Sequence, residues 1–245
     1  FQKATDDISF LGKNSLKDTK ALLESYGLGG MVDYGGCAFI YDTKKSFNSS
    51  KKSWNERTKR GFSSESLNEE SIAKITPTIN NEFKHAFLSH EWGKVTEPVD
   101  IVKNLSNEAQ KGGVVFYKNH VERISESLKS VLIEAENGSF QYDAVIIAAG
   151  IDSISFAKSL GDFLPMTAER GYNLTLPSPN IQIDIPIVFA DRGIVATSLR
   201  SGLRIGGWAE YANPMRPANQ AYFDSIARIS QELFPGLDVE GANYW

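Results

Sequence analysis

The sequence predicts an α/β fold of the α+β kind, helices combined with a largely antiparallel sheet, on three observations. Ala144, Val145, Ile146, Ile147 and Ala148 run without a polar residue and end at Ala149-Gly150, the pattern of a strand buried on both faces. At Gly112-Gly113 the apolar period changes from that of a helix, set by Ile101, Val102, Leu105 and Ala109, to that of strands. From Arg170 to Trp208 short strand-like runs alternate with turn residues. In an open α/β sheet ligands bind beyond the carboxyl ends of strands, so Ala149 and Gly150 offer bare backbone to a large flat cofactor. A core strand followed by a tight turn has the same local pattern.

In chain order, residues 3 to 26 read as helix with a break near Gly12, capped at Asn14 or Ser15 and stopped at Gly27. Gly27-Leu28-Gly29-Gly30 follows a helix and leads into a strand, the reverse of a dinucleotide loop, and is read as a turn. A strand covers Gly36 to Asp42. The Lys- and Ser-rich segment 43 to 70 makes one helix and a connector, and Ser71 to Ile75 adds a helical turn closed by Pro77. Phe83 to Leu88 is a short strand. Pro98 opens the clearest helix, with Asp100 complementing its dipole. Strands follow at Val114 to Tyr117, Val121 to Ser125, Ser130 to Ala135 and Phe140 to Ala149, with Asn137-Gly138 as a hairpin turn. After a helix from Ser153 to Leu160 come strands at Arg170 to Leu176, Ile185 to Phe189, Ile194 to Leu199 and Gly202 to Trp208. A helix from Pro217 to Phe234 turns Tyr222, Ile226, Ile229 and Leu233 inward.

The 245 residues suffice for one large domain or two modest ones. A formal charge of −4 argues against general nucleic-acid binding, and no run reaches the eighteen or so apolar residues of a membrane span. The lone Cys37 has no disulfide partner and sits in an apolar run as a small hydrophobe, weakly consistent with a reducing compartment. His85 and His90 lack a third ligand at metal spacing, so no metal is expected. The first residues, starting at Phe1 rather than a methionine, read as the inside of an element, which points to a fragment.

Gly93, Val95 and the Pro98 helix, then Asn119 to Ile124 (NHVERI), DAVIIAAGIDS, Leu164-Pro165 and Glu169-Arg170-Gly171-Tyr172 follow in an order that resembles the FAD-dependent D-amino-acid dehydrogenase and glycine oxidase family. ERGYNLTLP (Glu169 to Pro177), SGLRIGG (Ser201 to Gly207) with Glu210, and LFPGLD (Leu233 to Asp238) resemble the D-amino-acid dehydrogenase branch most. The likeness runs from about Gly27 to Trp245.

This resemblance implies a flavoprotein whose FAD domain and antiparallel-sheet substrate domain are interleaved. Residues 98 to 155 belong to the first; 1 to 97 and 156 to 245 belong to the second, the last few returning toward the first. Val121 matches the position whose backbone meets the adenine end of FAD, and Ala148, Ala149 and Gly150 match the strand end lying against the cofactor. Arg170 and Tyr172 are the candidate substrate-binding residues, with Arg200, Arg204 and Arg216 as further guanidinium candidates for a carboxylate. The implied reaction oxidises a D-amino acid to an imino acid by hydride transfer to flavin, with hydrolysis to an oxo acid and ammonia; it requires no side-chain nucleophile. The substrate is a small-molecule amino acid and the implied location is the cytoplasm, at the inner membrane face for quinone-linked members.

The resemblance also implies a pyrophosphate-binding loop before Phe1 and a carboxylate-binding arginine beyond Trp245. Hence the 245-residue chain alone is expected neither to retain FAD nor to turn over substrate. Two alternatives stay open: a non-catalytic remnant with a binding or scaffold role, and an amine oxidase acting on glycine or sarcosine.

Overall fold

The computed structural model describes residues 2–213 and 215–245. Seven α-helices are described: α1 (Gln2–Gly12), α2 (Ser15–Ser25), α3 (Lys44–Lys59), α4 (Glu69–Ile75), α5 (Pro98–Lys111), α6 (Ser153–Ser159) and α7 (Gln220–Leu233). The strands are β1 (Val32–Asp33), β2 (Cys37–Tyr41), β3 (Ser64–Leu67), β4 (His85–Ser89), β5 (Lys94–Val95), β6 (Val121–Glu126), β7 (Val131–Ala135), β8 (Gly138–Tyr142), β9 (Glu169–Leu176), β10 (Ile187–Phe189), β11 (Ile194–Leu199), β12 (Gly202–Tyr211) and β13 (Asn243–Tyr244). They divide into two compact units. The first comprises the chain up to Ala109, Gly171–Ala209 and Ala218–Trp245; the second comprises Gln110–Arg170 and Glu210–Pro217. Of residues 98 to 155, assigned above to a cofactor domain, 98–109 fall in the first unit and the remainder in the second.

The first unit is built on an eight-stranded sheet in the order β13-β9-β12-β11-β10-β2-β4-β3. β10 and β2 pair in parallel; β13–β9, β12–β11, β11–β10, β2–β4 and β4–β3 are antiparallel. Alternation puts Tyr172, Leu174 and Leu176 of β9, Leu203 and Ile205 of β12, and Ile194 and Ala196 of β11 on one face. That face packs against Phe223, Ile226, Ile229 and Leu233 of α7. Removing each of these large side chains from water contributes about 1.5–3 kcal/mol. On the opposite face of β2 and β4, Phe39, Tyr41 and Phe87 pack with Phe47 and Trp54 of α3. The α3 start is fixed by a capping box, in which Thr43 accepts from the Ser46 amide at 3.1 Å. Close strand approach depends on Gly206, where a Cβ would stand 2.3 Å from that of Asn173.

The second unit holds a three-stranded antiparallel meander, β6-β7-β8, in which Ala135 pairs with Gly138, so the tight turn falls on Glu136-Asn137, one residue before the expected Asn137-Gly138, and Gly138, at φ 128°, opens β8. Two expected strands are absent. Val114 to Tyr117 is irregular backbone with Val115 65% and Tyr117 67% exposed, and Ala144 to Ala149 is likewise unpaired, with Ile146 92% exposed. A strand exists only through its ladder, and among the described residues neither segment has a neighbour to bond. A further correction concerns α5: none of its residues is fully buried, and Val102, expected in a buried stripe, is exposed. The short strands β1, β3, β5 and β13 were not anticipated; they are edge or two-stranded pieces whose residues carry little periodic signal.

Candidate functional site

Gly150 follows the unpaired segment 144–149 with φ +57° and begins a 3-10 turn, Gly150–Asp152, that feeds α6. Only glycine takes this conformation without strain, and a Cβ placed there would meet no atom within 4 Å, so its backbone faces open space. The hydroxyl of Ser153 accepts the Ala149 amide at 3.2 Å, which ties the end of the extended segment to the helix start. Within the second unit, Gly150 and Ile151 line an open concavity of about 530 Å³ together with Met166, Thr167, Ala168, Glu169, Arg170 and Ala212. An adjoining hollow of about 510 Å³ shares Ile151, Met166, Thr167, Ala168 and Ala212 and extends to Ile154, Tyr211 and Asn213. The lining is mostly small or apolar, with charge confined to one end at Glu169 and Arg170.

Arg170 is anchored on two sides. Its Nη1 stands 3.8 Å from Glu210 Oε2, and its Nη2 donates to the carbonyl of Arg216. Both partners belong to the second unit, so one guanidinium ties the start of β9 to the segment that follows β12. The pair is mostly buried, with side chains 25% and 15% exposed, and each ion offsets the other's desolvation.

Of the expected site residues, the structure therefore brings Gly150 and Arg170 to one concavity, and the other four lie elsewhere. Ala148 and Ala149 precede it in exposed backbone. Val121 opens β6, half-buried and paired with Ala135, with a bulge between it and Arg123. Tyr172 lies in the first unit at 1% exposure, its ring 4.7 Å from that of Tyr222 and its hydroxyl accepting the Asn219 amide at 3.0 Å. That hydrogen bond serves the entry to α7. Arg200 pairs with Asp100, and Arg204 donates from Nε to the Thr175 hydroxyl at 3.3 Å. Met166, Thr167, Ala168 and Ala212 were not singled out in sequence; small or unbranched residues carry no motif. The partnership of Glu210 with Arg170, forty residues apart, had only the presence of both residues as a signal.

The chain matches the model of a family described as FAD dependent oxidoreductase over residues 5–245. It belongs to this family. A D-amino-acid oxidase of Bradyrhizobium diazoefficiens is 26% identical over 234 residues, covering 94% of this chain and 55% of that protein. A D-amino acid dehydrogenase of Cereibacter sphaeroides is 32% identical over 157 residues, covering 58% of this chain and 34% of its own length. Among solved structures, glycine oxidase from Geobacillus kaustophilus superposes with a TM-score of 0.78 at 16% identity, over 96% of this chain and 64% of that one. L-α-glycerophosphate oxidase from Mycoplasma pneumoniae gives 0.79 at 18% identity, over 95% and 65%. At such identities these two share the fold. This member of the FAD dependent oxidoreductase family spans about half the length of the curated relatives that it matches over most of its own length.

Proposed function

We propose that this chain contributes the amino-acid site and one edge of the cofactor site to an FAD-dependent oxidoreductase that converts D-amino acids to imino acids. The observation that carries the reading is the concavity in which the open backbone of Gly150 meets the charged end at Arg170. The residues present fit the edge of a large planar group. Ala148, Ala149 and Gly150 add no bulk, and the space over Gly150 is clear. FAD, when bound, accepts the hydride leaving the α-carbon. The chain's own part is positional: Gly150 and its neighbours receive the cofactor edge, and Met166 and Ala168 supply an apolar wall beside the reacting carbon. The Arg170–Glu210 pair holds the walls of the hollow together. Val121, on the same reading, lends its backbone to the adenine end of the cofactor.

Homologues named D-amino-acid oxidase and D-amino acid dehydrogenase support a D-amino acid over other amines. Anaerobic mixing of the FAD-loaded protein with D-alanine, L-alanine, glycine and sarcosine tests the reading, with flavin bleaching as the signal. D-Alanine is expected to reduce the flavin fastest. Faster reduction by sarcosine or glycine establishes the amine-oxidase alternative, and no reduction by any of them removes the enzymatic reading. A quinone analogue supplied in place of oxygen then identifies the electron acceptor.

A further inference from the structure

The first unit holds a hollow of about 450 Å³ that the flavin reading does not use. It lies between α2 and the segment that joins β1 to β2. Lys13, Lys17 and Lys20 line it, and Leu16, Phe62 and the ring of Tyr34 form its apolar wall. Gly93 supports that wall from beneath. A Cβ there would stand 2.9 Å from Leu16 Cδ1 and 3.4 Å from Tyr34 Cδ1, so both side chains rest against bare backbone.

Charge in this hollow is one-sided. Lys17 and Lys20 stand three residues apart on α2, a like-charge spacing that weakens a helix unless something neutralises it. Among the described residues Lys13 and Lys17 have no ion-pair partner; Lys13 lies over the Phe10 ring at 4.5 Å. Lys20 comes no closer than 3.9 Å to Glu24, and its Nζ is 5.3 Å from the Tyr34 ring. The remaining ions of the lining are already engaged. Glu91 accepts both the amide and the hydroxyl of Ser63, and Arg60 pairs with Asp6 and Glu56. The hydroxyl of Tyr34 is buried with no hydrogen-bond partner among the described residues, a cost that an acceptor carried by a ligand removes.

We propose that this hollow binds a small organic phosphate, with the phosphate among Lys13, Lys17, Lys20 and the Tyr34 hydroxyl and the organic body against Leu16 and Phe62. The donor set selects phosphate over carboxylate. A carboxylate is best met by a guanidinium fork, and the one arginine here, Arg60, is held by two carboxylates. Three ammonium groups are compact point charges, which suit a dianion with three acceptor oxygens. The volume is in the range of small-molecule sites. An adjoining hollow of about 890 Å³ shares Gly12, Ser15, Arg60 and Phe62 and gives the organic body room to extend. None of these residues lines the Gly150 concavity, so the inference stands or falls without the flavin reading.

The test is a titration of the 245-residue chain by phenyl phosphate at about pH 8, where the monoester is a dianion, read by calorimetry and by backbone amide resonances. Phenyl phosphate is expected to bind saturably at one site and to shift the amides of Lys17, Tyr34 and Phe62. Inorganic phosphate is expected to bind about tenfold more weakly, because Leu16 and Phe62 stay uncovered. Benzoate is expected to bind about tenfold more weakly as well, because it brings one negative charge and no third oxygen. Lys17→Gln lowers the affinity for phenyl phosphate about tenfold, and Lys13→Gln combined with Lys17→Gln abolishes the saturable shift. Both lysines are exposed, so an unchanged unfolding transition certifies the fold of these variants. Tyr34→Phe keeps the ring, removes only the hydroxyl and lowers the affinity about fivefold. No saturable binding by the parent chain, or undiminished binding by the double lysine variant, overturns the proposal. Inorganic phosphate or benzoate binding as tightly as phenyl phosphate overturns the assignment to an organic phosphate.

Discussion

Two apolar runs of similar composition have opposite fates. Cys37 to Tyr41 in the first unit is a strand with neighbours on both sides, β10 in parallel and β4 antiparallel, and Ala38 and Ile40 are 0% and 1% exposed. Ala144 to Ala149 in the second unit is richer in β-branched residues, yet it forms no ladder and leaves Ile146 92% exposed. Hydrophobicity sets what a segment gains by burial; pairing partners decide whether it collects that gain. The eight-stranded sheet supplies them, and the three-stranded meander does not reach the second run.

The largest expected consequence is in amide exchange. Amides of β2 and β10 open only through near-global unfolding, whereas those of 144–149 have no ladder hydrogen bond to break, so their exchange rates differ by at least about a thousandfold. Exchange of 144–149 as slow as that of β10 would mean that the segment is paired in solution and would erase the contrast. Cys37 probes the dry side of the same comparison. Burial pushes its thiol up to about 12, against an ordinary 9.0. At pH 8 its modification by a disulfide reagent is therefore expected to run on the order of a thousandfold slower than that of an exposed peptide cysteine. The sign for stability follows: the unfolded thiol ionises from about pH 9 while the folded one does not, so stability is intact below pH 9. It falls as pH rises from there toward about 12. A rate near that of a free thiol in the native protein, or stability flat across that window, would show that water reaches this strand.

Substitution sharpens the contrast further. Phe189 of β10 is fully buried between Phe83 and Phe234, and Phe189→Ala is expected to cost about 3–5 kcal/mol in chemical unfolding. Ile146→Ala deletes as characteristic a strand residue and is expected to stay within about 0.5 kcal/mol, because nothing is uncovered that was not already in water. Comparable losses at the two positions would contradict the exposed placement of 146.

The same distinction explains which parts of the structure were legible in the sequence. Where local signals and tertiary partners agree, the reading holds closely: α6, the β6–β7 pair, β9, β11 and the α7 face of Ile226, Ile229 and Leu233 stand where periodicity and turn residues put them. It fails at Val114 to Tyr117 and Ala144 to Ala149, where periodicity reports burial potential and says nothing of a neighbour. The candidate site divides likewise. Gly150 was legible from its position after a small-residue run. The engagement of Arg170 with Glu210 depends on how β9 and β12 lie beside each other, which no spacing along the chain reveals.

Two glycines, one in each unit, give the smallest and most discriminating difference. Gly150 is required by conformation: at φ +57° an alanine is strained, but its Cβ meets open space, so Gly150→Ala is expected to cost about 1–2 kcal/mol. Gly206 is required by proximity: its Cβ would stand 2.3 Å from Asn173 Cβ and 2.6 Å from the Tyr172 carbonyl oxygen, so β9 and β12 must part to admit it. Overpacking of this kind costs about 3 kcal/mol and disturbs the neighbours as well. Gly206→Ala should therefore move the Asn173 and Thr175 resonances, whereas Gly150→Ala should leave them untouched. If instead Gly150→Ala is the costlier change, the space above Gly150 is filled in solution, and the concavity it shares with Arg170 is not open to a cofactor edge.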